Sequence, residues 1–205
     1  MTTHKIAATA LFALLLGSAG AQAQAYDWTF KVGAHQVQPR SDNGRLAGGS
    51  LQSDVSGDWR PTFQLEYFLG ESWGVELLAA TPFKHDVKLN GAKAAEVSHL
   101  PPTLSLKYHF NRGGKVSPFV GIGLNYTAFF DVEERGPLAG TQLTLGKSWG
   151  AAAHAGLDFA LDERWLLAVD VRWMDIDTEA RVNGAKVGTV NIDPLAYGLA
   201  VGYRF

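Results

Sequence analysis

The sequence predicts an all-β protein: an eight-stranded antiparallel transmembrane β-barrel with short periplasmic turns and longer extracellular loops. Three observations lead there. Large apolar residues recur at every second position in eight separate stretches, an even number as closed bacterial barrels have. All six Trp and all six Tyr fall on that apolar parity, as the aromatic girdles of a membrane wall would, while the strand glycines fall on the other. The chain closes on LAYGLAVGYRF, a strict alternation that ends on Phe205, where a frayed tail is the usual case.

The elements follow in order. The first 28 residues, MTTHKIAATALFALLLGSAGAQAQAYDW, carry Lys5, an apolar run over 6–16, and two A-x-A cleavage sites. The run is too short to span a bilayer, which needs about 20 residues. We therefore expect a cleavable signal peptide over residues 1–23, with cleavage as late as 25, and a barrel domain over 24–205. Strands are expected at 26–35, 59–69, 73–80, 103–110, 120–128, 149–159, 164–173 and 195–205. Each has about the ten residues a tilted strand needs to cross. Connections 70–72, 111–116 and 161–163 are short; 40–58, 84–99, 131–147 and 176–190 are long, as outer-membrane barrels alternate them. Gly33, Gly74, Gly121, Gly123, Gly150, Gly156, Gly198 and Gly202 share the inward parity, where an eight-stranded barrel has room only for side chains. A soluble sandwich would keep its glycines in turns and point its apolar parity inward.

Composition excludes other classes. A net charge of −2 offers no basic face for nucleic acid. The absence of Cys removes disulfides and thiolate metal sites. Val120-Gly121-Ile122-Gly123 has no helix after it and is a weak phosphate-loop match. Asp175, Asp177 and Glu179 lack the spacing of an EF-hand and read as a solvated rim where the seventh strand leaves the membrane. His85 and Asp86 are adjacent, but Ser98 and Ser105 have no nucleophile context and the histidines are scattered, so no catalysis, metal or cofactor is expected.

Several segments carry a specific resemblance. WGVELLAATPFKH (73–85), HLPPTLSLKYHF (99–110), SPFVGIGLNYTAFFD (117–131), SWGAAAHAGLDF (148–159), WMDIDT (173–178) and the closing GYRF resemble, in order, the OmpW family of small outer-membrane proteins. The resemblance implies an eight-stranded barrel in the bacterial outer membrane that takes small hydrophobic compounds through a narrow lumen, apolar toward the outside. It also implies links to stress responses and to phage or colicin reception. The terminal Phe205, with Tyr203 behind it, resembles the signal read by the barrel-assembly machinery. Leu78 fits the family's apolar lining. Arg172 departs from it, since well-known members carry an aromatic residue there.

By parity, Lys31, Glu66, Glu76, Lys107, Asp170 and Arg172 share the lumen with Leu78 and are expected either to line a path or to pair as a structural plug. Pro61, Pro82, Pro101 and Pro102 sit at neighbouring strand ends. Proline cannot donate to a ladder, so they either end the ladders or leave a lateral gap near the outer leaflet. Two functions from different classes remain. One is a channel or carrier for small apolar solutes, favoured by Leu46, Leu51, Val55, Val87, Leu89, Phe129, Phe130, Leu138 and Leu143 near the outer loops. The other is a structural or adhesive barrel whose loops bind lipopolysaccharide, phage, colicin or host surfaces. Lipid contact and a monomeric state are expected in both.

Overall fold

Period-two alternation is satisfied by a closed wall, seen in a computed structural model that describes residues 27–205. The expected signal peptide and Tyr26 lie outside the described residues. Eight antiparallel strands form the wall: β1 (Trp28–Gln38), β2 (Asp58–Phe68), β3 (Trp73–Ala80), β4 (Thr103–His109), β5 (Val116–Glu134), β6 (Ser148–Ala160), β7 (Trp165–Met174) and β8 (Leu195–Arg204). Each pairs with its sequence neighbours, and β8 pairs with β1 in register from Arg204↔Thr29 to Leu195↔Gln38, which closes the ring. Eleven residues of β1 at a tilt near 40° rise about 28 Å, the height of a bilayer core.

The wall is apolar outside and polar inside. Phe30, Val32, Leu77, Leu106, Ile122, Leu124, Val171 and Leu199 are all exposed on the outer face. Their inward neighbours Lys31, Glu66, Glu76, Lys107 and Arg172 are buried. A water-soluble protein would bury the first set and expose the second; the inversion is what lipid outside requires. Aromatics cluster at the wall's ends, with Trp28 on Tyr67, Trp73 on Tyr108, Tyr126 on Trp149 and Trp165 on Tyr203, ring centroids 4.7–5.0 Å apart.

Two expectations about elements are corrected. The fifth strand is far longer than 120–128, because its upper half leaves the wall and pairs with Ala92–Leu100. The long outer connections, expected only as loops, hold further strands. Phe83–Leu89 and Ala92–Leu100 form a hairpin around Asn90-Gly91, and Asp177–Val182 and Ala185–Asn191 form another around Asn183-Gly184. All four turn residues have positive φ, the left-handed conformation that Asn-Gly hairpin turns demand. Leu51–Val55 adds a strand beside the first hairpin. These outer pieces enclose a second, apolar core above the membrane wall.

Candidate functional site

The lower lumen is filled by charge. Lys107 on β4 places Nζ 2.8 Å from Glu66 of β2 and 2.8 Å from Glu76 of β3. Lys31 on β1 lies 3.0 Å from Asp158 on β6 and 3.6 Å from Glu66. Arg172 on β7 donates to Glu76 at 2.7 Å and to Asp170 at 2.6 Å. Two histidines extend the cluster: His35 bonds Thr62 and Asp170, and His109 bonds Ser117 and Glu66. Strand alternation brings these groups inward. Closure of the ring sets the strands around one lumen, so charges distant in sequence meet. Phe119 caps the cluster from β5, its ring centroid 4.0 Å from Lys107 Nζ. Ions taken out of water persist only when paired and hydrogen-bonded, and here the pairing is continuous across the lumen.

Thus Lys31, Glu66, Glu76, Lys107, Asp170 and Arg172 lie together and inward. Sequence reading missed Asp158, His35, His109 and His154 as members. Their inward parity was the available signal, and it identified Asp158 and the histidines no less than the lysines. His154 is also inside, 3.8 Å from Glu76, with neither ring nitrogen hydrogen-bonded.

Above the charges the lining becomes apolar. Leu78, Val37, Ala80, Phe83, Pro101 and Met174 surround a small pocket whose floor includes His35 and Thr62. Higher still, the outer hairpins enclose a larger cavity of ≈ 70 Å³. Leu46, Leu51, Val55, Val87, Leu89, Phe129, Leu138 and Leu143 all line it; Phe130, expected with them, does not. His85 and His99 are its polar members besides Thr178.

The four prolines differ in place. Pro61 stays within the ladder, opposite Ala34, and its carbonyl accepts the Thr81 N–H at 3.0 Å. Pro102 accepts from the Tyr126 N–H at 3.0 Å, so β4 remains joined to β5. The ladder between β3 and β4, by contrast, ends at Leu78↔Thr103. Above that pair, Ala79, Ala80 and Pro82 stand on one side of the seam, Pro101 and Pro102 on the other. The Pro101 carbonyl is instead taken by the Asn125 side chain at 3.2 Å. The pocket beneath the cavity borders this seam through Ala80 and Pro101.

Elsewhere, Asp175 and Asp177 gather with Asp193, while Glu179 is paired with Arg181 and Lys186. Phe205 is held on both backbone groups by Trp28, N–H to carbonyl at 2.9 and 3.0 Å. Tyr203 accepts from Arg164 at 2.8 Å.

Comparison with known proteins agrees with this architecture. Residues 24–205 match the model of the OmpW family. Outer membrane protein W of Salmonella typhimurium is 38% identical over 213 residues, covering 100% of both chains. The dibenzothiophene metabolism operon protein PahQ of Pseudomonas aeruginosa is 28% identical over 192 residues, covering 87% of this chain and 88% of its own. The crystal structure of the outer membrane protein OprG from Pseudomonas aeruginosa superposes with a TM-score of 0.80 at 34% identity, covering 89% of this chain and 97% of that one.

Proposed function

The chain belongs to the OmpW family of outer-membrane barrels, and from that premise we propose that it carries small hydrophobic molecules across the outer leaflet of the bacterial outer membrane. The observation that carries the reading is the vertical order of the lumen: an apolar cavity stands on a continuous ionic cluster. An apolar solute entering the cavity from outside gains from leaving water. It cannot gain by continuing down, because it would have to break the paired charges between Lys31 and Arg172. The favourable exit is sideways, through the seam between Ala79–Pro82 and Pro101–Pro102, into lipid. Leu78 and Ala80 make the approach to that seam apolar. PahQ, a relative whose name ties it to a dibenzothiophene metabolism operon, fits an aromatic class of solute.

The test is uptake of naphthalene into cells that carry or lack the protein, alongside planar-bilayer conductance. Faster naphthalene uptake with little ion conductance supports the reading. Ion conductance with no gain in naphthalene uptake contradicts it. No reaction is assigned to the protein.

The rest of the reading concerns partners. Phe205 and Tyr203 act as the signal for the barrel-assembly machinery. The ring leaves no open strand edge in the wall, which supports a monomer. An adhesive role draws on a different observation: the outer hairpins display charge, as in the contact of Lys93 with Asp86 at 2.6 Å. Under that reading the loops bind lipopolysaccharide, phage, colicin or host surfaces. Replacing Asp86, Lys93 and Glu96, which do not line the cavity, with Ala would then weaken surface binding while naphthalene uptake continues.

A further inference from the structure

The larger cavity holds one polar feature that the carriage of hydrocarbons does not explain. His85 and His99 face each other as parallel rings, centroids 4.7 Å apart and 11° between planes. Phe83 extends the stack, 5.5 Å from His99 at 23°, and Phe129 leans against it at 5.7 Å. Both histidines line the cavity, and both are nearly inaccessible, at 3% and 1% exposure. The Nε2 atom of each has no hydrogen-bond partner. A buried polar atom left unpaired is costly, and native proteins retain few of them.

The protonation of His85 follows from its partner. Its Nδ1 meets the Ser56 carbonyl, which can only accept, so Nδ1 carries the hydrogen. In the neutral ring the lone pair is then on Nε2, a vacant acceptor. Burial favours that neutral form. No charged side chain lines the cavity, so it is unsuited to a carboxylate or an ammonium. A flat aromatic wall with a vacant acceptor calls for a flat, neutral ring that carries a donor.

We infer that the His85–His99 stack is a recognition site for hydroxylated aromatic molecules of the phenol and naphthol class. The ring of the ligand stacks on the Phe83–His99–His85 wall, and the wall yields on entry so that the hydroxyl reaches and donates to His85 Nε2, which the cavity surface otherwise covers. Aliphatic walls from the two outer hairpins cover the remaining surface. The site rests on the reading of the cavity as an apolar solute path and adds a selectivity to it. Unsubstituted hydrocarbons pass, and hydroxylated ones are held more firmly.

Naphthalene and 2-naphthol differ by this one group. Equilibrium dialysis at neutral pH against the protein in lipid nanodiscs, with empty nanodiscs subtracted, measures both. The wild type should bind 2-naphthol roughly three- to tenfold more tightly than naphthalene, the range one hydrogen bond supplies. His85→Phe, which keeps a stacked ring and removes the acceptor, should bring the ratio of the two affinities to about one. Naphthalene binding with an unmoved ratio in His85→Phe overturns the recognition site while the path stands. Binding of neither compound by the wild type overturns both. Should His85→Phe fail to fold, the wild type still decides. The ¹⁵N resonance of His85 Nε2 must shift with 2-naphthol and not with naphthalene, and an equal response to the two rejects the inference.

Discussion

Lys107 is the hinge of the ionic cluster: its fully buried Nζ bridges Glu66 and Glu76, carboxylates of two adjacent strands, at 2.8 Å each. Without that cation Glu66 would keep Lys31 at 3.6 Å and Glu76 would keep Arg172, and the lumen would hold one buried cation fewer against the same carboxylates. Lys107→Met should therefore cost about 3–5 kcal/mol, the usual penalty for stranding a buried charge. The folded barrel should run faster than the boiled one on a detergent gel, and the temperature at which the fast form disappears should drop in the variant. An unchanged transition would mean that the cluster contributes little to stability.

Arg172 holds the other side of the cluster, through Glu76 and Asp170. Arg172→Trp removes both bonds and adds an apolar bulk. Its single-channel conductance, or its block by apolar solutes, should differ from wild type. Identical traces would show that the charges Arg172 pairs do not set what the lumen admits.

The outer hairpin should be pH-sensitive. Burial pushes His85 and His99 below the ordinary histidine value, His99 well below it. Asp58 and Asp86 oppose the shift at His85, Arg60 adds to it, and a proton on His85 would further disfavour one on His99. The folded rings stay neutral, while an opened chain takes up protons below about 6.5. The stabilisation is thus complete above that pH and falls as pH drops through it. Amide exchange in Ala92–Leu100, corrected for intrinsic rates, should quicken from pH 7.5 to 5.5, and His99→Phe should flatten the trend. A steep trend that survives this substitution would assign it to other groups.

Deleting Phe205 removes the two backbone bonds to Trp28 that finish the ring. Outer-membrane yield should fall well beyond the loss of one side chain. Normal yield would leave the terminal residue no part in assembly.

The wall was legible because its physics is local. Alternation sets which side each residue faces, so Lys31, Glu66 and Arg172 could be placed in one lumen before any contact was known. Which charges pair was not legible, since Lys31 meets Asp158 across 127 positions through barrel stagger alone. The outer hairpins carried a signal that was passed over. Asn90-Gly91 and Asn183-Gly184 are the strongest short-range marks of a hairpin turn, yet their flanks mix charge and apolar residues and read as loop. The histidine stack was illegible for a related reason: His85 and His99 lie on different arms of a hairpin whose register carries a bulge. Neighbouring strand ends can be read for the four prolines, but the sequence does not tell that Pro61 keeps its ladder while the β3–β4 ladder stops at Leu78↔Thr103.

The central claim is that apolar solutes leave through the β3–β4 seam. Continuing the Leu78↔Thr103 register upward sets Ala79 against Pro102, both on the outward parity. A disulfide between Ala79→Cys and Pro102→Cys would staple the seam without touching the ionic cluster. Naphthalene uptake by cells carrying this pair should fall to the level of cells lacking the protein when the bond is oxidised, and recover on reduction. Uptake that is equal in both states, with insertion and crosslinking verified, would contradict the lateral route.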